Sequence, residues 1–219
     1  MTKNEYIAYA KEHEDWAPGW DAIEESFAKV YPLQEAKHFG IDLEARAYLG
    51  GDEYLDGYSV YTSKDGYQHI VTFGMSELYV DEECFGGEFS KWGYEMTMKL
   101  KEEDVESCVW AMNMMGRFAR YTFQNESWLE AGQFIMGSGE PIDGEDESTI
   151  VALMVVPDTE VEGRDTVNGR LDFLQFVGIT KEEFEAVSNN PDLGDILVER
   201  MKADNPKLVT DMTRTKSYL

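Results

Sequence analysis

Apolar positions recur along the chain with two periods, near 3.6 and near 2, and each change of period marks a new element. Trp20, Ile23, Phe27 and Val30 fall at helical spacing, while Asp21, Glu24, Glu25 and Lys29 take the remaining positions. That pattern predicts a helix over residues 20–31, with Pro18-Gly19 before it and Pro32 ending it. Residues 54–62 and 67–73 read as a hairpin, joined by Ser63-Lys64-Asp65-Gly66, in which Asp-Gly supplies the positive φ angles of a tight turn. The cleanest alternation covers 92–100. Trp92, Tyr94, Met96, Met98 and Leu100 alternate with Gly93, Glu95, Thr97 and Lys99, which predicts a strand with one face in the core and the other in water.

Asp104 is placed to cap a helix running to about residue 124, with Cys108, Met112, Met115 and Ala119 along one stripe. Residues 149–156 and 171–177 are almost continuously apolar, as interior strands are. Thr180-Lys181-Glu182-Glu183 is a capping box opening a short helix, and a further helix is expected over 193–203. Residues 208–212 are expected to close the sheet. Hairpins mixed with helices, without a βαβα rhythm, indicate an α+β domain. No repeat, low-complexity tract or linker divides the 219 residues, so one domain is expected over 1–219.

Composition changes this picture in one respect, charge. There are 44 acids against 19 bases, a formal net charge of −25, with acids in excess in every third of the chain. A field of that sign repels nucleic acid and anionic membranes, and it attracts cations or basic proteins. Solubility alone also accounts for an acidic surface. The first residues lack a signal peptide's charged-then-apolar run, and no apolar stretch approaches a bilayer-spanning length, so a soluble, cytoplasmic chain is expected.

Candidate chemistry is sparse. No Gly-rich phosphate loop and no nucleophile elbow occur, and Cys84 and Cys108 fit no metal-ligand or redox spacing. Asp143, Glu145 and Glu147 begin like a calcium loop, but Ser148 stands where glycine is needed and Met154 where a bidentate Glu belongs. Neither a cofactor nor a metal is expected. His13, His38 and His69 form no zinc pattern; an enzyme with an unrecognised site would have to use His69 or His38 with a nearby carboxylate. More pointed is Tyr79, which ends Phe73-Gly74-Met75-Ser76-Glu77-Leu78-Tyr79 and is followed by Asp81, Glu82 and Glu83. A tyrosine beside a carboxylate cluster suits the anchoring of a basic peptide or protein surface, and Gly86-Gly87 beyond it suggests a mobile loop.

Six segments in register carry a resemblance. They are Tyr48-Leu49-Gly50-Gly51 with Leu55-Asp56, residues 69–79, Gly93-Tyr94-Glu95-Met96-Thr97, Ala119-Arg120-Tyr121-Thr122-Phe123-Gln124, residues 172–178, and Thr210-Asp211-Met212. Together, over about residues 20–214, the chain resembles the Suppressor of fused family. The resemblance implies an α+β fold with a mixed, largely antiparallel sheet flanked by helices, equivalent to the N-terminal domain of the animal members. Those members are non-enzymatic inhibitors that hold Gli transcription factors by gripping a peptide as an added strand between two domains, and the second domain is not expected in this chain. The family's groove tyrosine matches Tyr79 and the acid two places on matches Asp81; Glu82 and Glu83 are added from charge alone. Stand-alone bacterial relatives resemble immunity proteins made beside toxins, many of them nucleases. Three expectations follow. The chain is an immunity-type protein masking a basic toxin, or an adaptor binding a peptide at a sheet edge near Tyr79, or an enzyme through His69 or His38.

Overall fold

A computed structural model describes residues 1–42, 54–145 and 147–219; Tyr48-Leu49-Gly50-Gly51 and Asp146 lie outside the described residues. Among the described residues eight strands form one sheet: β1 (Lys37–Gly40), β2 (Gly57–Ser63), β3 (Tyr67–Phe73), β4 (Phe89–Leu100), β5 (Phe134–Met136), β6 (Ile150–Pro157), β7 (Arg164–Thr166) and β8 (Gly169–Thr180). Five α-helices among the described residues accompany them: α1 (Lys3–Glu12), α2 (Pro18–Ala28), α3 (Val109–Asn125), α4 (Lys181–Asn189) and α5 (Leu193–Asp204). The strand order is β1-β2-β3-β4-β8-β6-β5, with β7 paired to β8 below the end of β6. The β4–β8 pair is parallel and the other pairings are antiparallel. This is the mixed, largely antiparallel α+β architecture expected.

The apolar alternation decides what lies on each face. Even-numbered residues of β4 and β8 (Met96, Met98, Leu100, Phe176) pack beneath the α3 stripe of Cys108, Met112, Met115 and Ala119. On the opposite face α2 places Ile23 and Phe27 against Val71, Phe73 and Phe173. Farther along that face, Val187 of α4 and Leu197 and Met201 of α5 cover Val177, Ile179 and Met154. The capping box at Thr180 and Glu183 forms as expected, whereas Asp104 accepts from Ser107 N–H at 2.8 Å in the 3-10 turn Glu106–Cys108 and does not cap α3, which starts after Cys108 with no side-chain cap.

Four further features differ from expectation. The polar positions of β4 are not wet: Glu95, Thr97 and Lys99 are buried, Glu95 beneath residues 74–76 and Thr97 and Lys99 beneath Asp158 and Thr159. There Lys99 Nζ meets Asp158 at 3.0 Å, Thr159 at 2.7 Å and Gln175 at 3.2 Å, so the buried charge is paired and its protons are used. The hairpin turn holds three residues, with positive φ at Gly66 alone (φ 81°) and Ser63 facing Tyr67. Residues 208–212 make a single bridge, Thr210 to Leu100, rather than a strand. Finally, α1, β1, β5 and β7 complete the fold beyond the predicted elements.

Candidate functional site

The site is built from the segment that leaves β3, residues 74–81, and almost none of its support is local. Glu95 of β4 accepts the backbone N–H groups of Gly74 (3.1 Å), Met75 (3.3 Å) and Ser76 (2.9 Å), as well as the hydroxyls of Ser76 (2.6 Å) and Thr72 (2.6 Å). Glu77 N–H donates to Ser90 Oγ at 3.0 Å. The first turn of α2 has orphan N–H groups like any helix start, and two of them, Gly19 and Trp20, donate to Leu78 C=O at 3.0 and 3.3 Å. Asn168, in the β7–β8 turn, donates to Tyr79 C=O at 3.3 Å. Tyr6 of α1 accepts from Asp81 N–H at 2.9 Å. Two helices (α1 and α2), one strand (β4) and one turn therefore converge on eight residues.

Glu95 is 0% exposed. Burial pushes its carboxyl above the ordinary range, while the bonds from Ser76, Thr72 and the backbone pull it down. Every polar partner it has in this cradle can donate, which suits a carboxylate.

On this pedestal Tyr79 is 48% exposed, and Glu82 and Glu83 are exposed beside it. Asp81 behaves differently. Its Oδ1 accepts Glu83 N–H at 2.7 Å and its Oδ2 accepts the Cys84 thiol at 3.4 Å, and these bonds hold its carboxyl below the usual range. The carboxylate of Asp81 thus shapes the turn that presents the other three. The loop beyond is tied down rather than loose: Gly86 N–H donates to Val167 C=O at 2.8 Å, and Gly87 N–H to Cys84 C=O at 3.1 Å. Glu77, Asp81 and Cys84 each bring one donor atom within 4.8 Å of the others, the spacing a metal would need. Burial and the neighbouring acids push the Cys84 thiol up to about 11, and its sulfur donates a hydrogen bond to Asp81 at 3.4 Å.

The histidines lead elsewhere. His69 does meet a carboxylate, Asp158, at 3.0 Å, and its other ring nitrogen lies 3.0 Å from the Tyr31 hydroxyl. All of this is sealed: His69 is 0% exposed, and burial holds its pKa below 6.5, so the ring is neutral. Burial alone would raise Asp158, but the hydrogen bond from His69, the Lys99 ammonium and the Thr97 hydroxyl outweigh it and hold that carboxyl well below the carboxylate range. His38 lies on edge strand β1, beside Ser59 Oγ at 3.0 Å and against Trp20 and Phe73. His69 thus has a carboxylate but no access to solvent, whereas His38 is exposed on β1 and has the carboxylates of Glu24 and Asp56 near enough to oppose the fall in pKa that burial causes. The residues that sequence reasoning missed are those supporting the loop: Tyr6, Gly19, Glu95 and Asn168.

Among the described residues no helix is long and apolar enough to cross a membrane. Residues 51–215 match the family described as Suppressor of fused protein (SUFU). The human Suppressor of fused homolog is 30% identical over 211 residues, covering 90% of this chain but 43% of the human protein, so the chain spans less than half the length of that relative. A chain in the Sufu–Fu complex crystal structure superposes with a TM-score of 0.76 at 28% identity, over 92% of this chain and 93% of that one. A putative SUFU homolog from Neisseria gonorrhoeae FA 1090 shares the fold, with a TM-score of 0.59 at 14% identity over 92% of this chain and 97% of its own. Matched in sequence over most of its length, and with the fold that its relatives have, this chain belongs to the Suppressor of fused family.

Proposed function

We propose that this chain is a non-enzymatic binding domain that grips a basic protein at the loop carrying Tyr79, Asp81, Glu82 and Glu83, and holds it inactive by masking. The observation that carries the reading is an exposed aromatic on a tightly tethered loop, flanked by exposed acids, on a chain of net charge −25. A fixed aromatic anchor loses little entropy on binding, and opposite charge speeds the encounter. The solved Sufu–Fu complex supports protein binding as a use of this fold. The finer form of the reading is immunity: a cytoplasmic inhibitor of a toxin such as a nuclease, whose nucleic-acid-gripping surface is basic. The test is capture from native lysate by the tagged chain at low and high salt, beside a Tyr79→Ala, Glu82→Lys, Glu83→Lys chain. The expected partner is basic, is lost at high salt, and is missed by the variant. Capture indifferent to both changes overturns the reading.

A second reading, peptide addition at a sheet edge, is favoured by β7. It pairs with β8 on one side, and its turn residue Asn168 bonds to Tyr79 C=O. Thr166 and Gly169 flank the two-residue turn as the hydrogen-bonded pair, so Asp165 N–H, one residue back, points to the open side. Asp165→Pro is expected to abolish strand addition and to spare charge-driven binding.

A further inference from the structure

Helix α1 is stabilised within itself by a capping box between Thr2 and Glu5, and Tyr6 is its one buried residue. The Tyr6 side chain is completely buried, with its ring centroid 4.8 Å from that of Phe85 and edge-on to Trp16 at 5.3 Å. Its hydroxyl accepts Asp81 N–H at 2.9 Å and reaches Asn168 Oδ1 at 3.4 Å, while the Asn168 amide donates to Tyr79 C=O at 3.3 Å. One hydroxyl therefore closes a chain of bonds from Asp81 through Tyr6 and Asn168 to Tyr79, gripping the backbone on either side of Val80. Burial pushes the phenol pKa up, so the O–H keeps its proton near neutrality. A ten-residue helix is marginal by itself, and one attached through a single buried side chain opens at low free energy.

We propose that α1 is a detachable strap: docked through Tyr6 it holds the 79–86 loop in one conformation, and undocked it releases that loop. As a control on partner binding, the strap rests on the reading of the loop given above. Docking of α1 and occupation of the loop are then coupled, and each strengthens the other by the same factor.

The strap is tested on the free, full-length chain by hydrogen exchange, comparing the wild type with Tyr6→Phe and Tyr6→Ala. In Tyr6→Ala the amides of 81–86 are expected to exchange at least about ten-fold faster, with those of β4 and β8 unchanged. In Tyr6→Phe, which keeps the ring, the Asp81 amide alone loses its acceptor and is expected to speed up. Unchanged loop exchange in Tyr6→Ala, or equal acceleration through β4 and β8, overturns the strap. With a captured partner, Tyr6→Ala is expected to raise Kd. A loosened loop with an unchanged Kd supports the strap and overturns the loop as the binding surface.

Discussion

The Glu95 carboxylate takes two hydrogen bonds from one residue, Ser76: its backbone N–H at 2.9 Å and its hydroxyl at 2.6 Å. With the N–H groups of Gly74 and Met75 it meets three successive amides, so backbone dipoles converge on this carboxyl group. Glu95→Gln puts an amide donor where the backbone partners are donors, and it is expected to cost about 1–3 kcal/mol. Urea unfolding reads this as a lower midpoint; an unchanged midpoint would mean that the carboxylate is dispensable to the loop.

Gly19 supports the same loop from α2. A Cβ there would lie 1.9 Å from Glu77 C=O, an atom of backbone that cannot swing aside. Alanine is the better helix former, yet Gly19→Ala is expected to destabilise by about 1–3 kcal/mol because the clash outweighs propensity. A thermal midpoint at or above the wild type's would contradict that close approach.

The buried histidine makes stability depend on pH. Burial holds the folded-state pKa of His69 below 6.5, so as pH falls under that value the unfolded chain takes up a proton before the folded one does. Stability contributed by neutral His69 is present above about pH 6.5 and is lost on acidification, by at most about 1.4 kcal/mol per pH unit. Glu95, with its raised pKa, contributes with the opposite sign wherever it titrates and is common to both chains, so the informative quantity is the difference in slope between wild type and His69→Gln from pH 7.5 to 5.5. The variant is expected to lose part of the fall seen in the wild type. Identical slopes would mean that His69 is charged in the folded chain.

Much of this fold could be read in the sequence because periodicity reports burial. The α3 stripe, the interior strands β6 and β8 and the Thr180 capping box were all carried by apolar spacing or cap chemistry. Alternation misled at Glu95, Thr97 and Lys99, since a polar residue marks water only where nothing covers the face; here backbone amides meet Glu95, and Asp158 meets Thr97 and Lys99. α1 escaped because one buried residue leaves no stripe, although Thr2 and Glu5 formed a readable capping box. Of the site, the acids and Tyr79 were evident as a run. The partners of that run lie far off in sequence, at Tyr6, Glu95 and Asn168, and no local pattern brings them together.

Tyr79 separates binding from stability. At 48% exposure its side chain contributes little to the core, so Tyr79→Ala is expected to change folding stability by no more than about 0.5 kcal/mol. As an interface anchor the same change is expected to weaken partner binding by about 2 kcal/mol or more. A large fall in melting temperature would instead make Tyr79 a structural residue.

The claim that the acidic loop meets the partner is tested most directly by association kinetics of the captured partner with wild type and with Glu82→Lys, Glu83→Lys, leaving Asp81 to hold its turn. At low salt the variant is expected to associate about ten-fold more slowly, with the difference closing as salt rises. Equal association rates at low salt would contradict the claim and place the interface elsewhere on the chain.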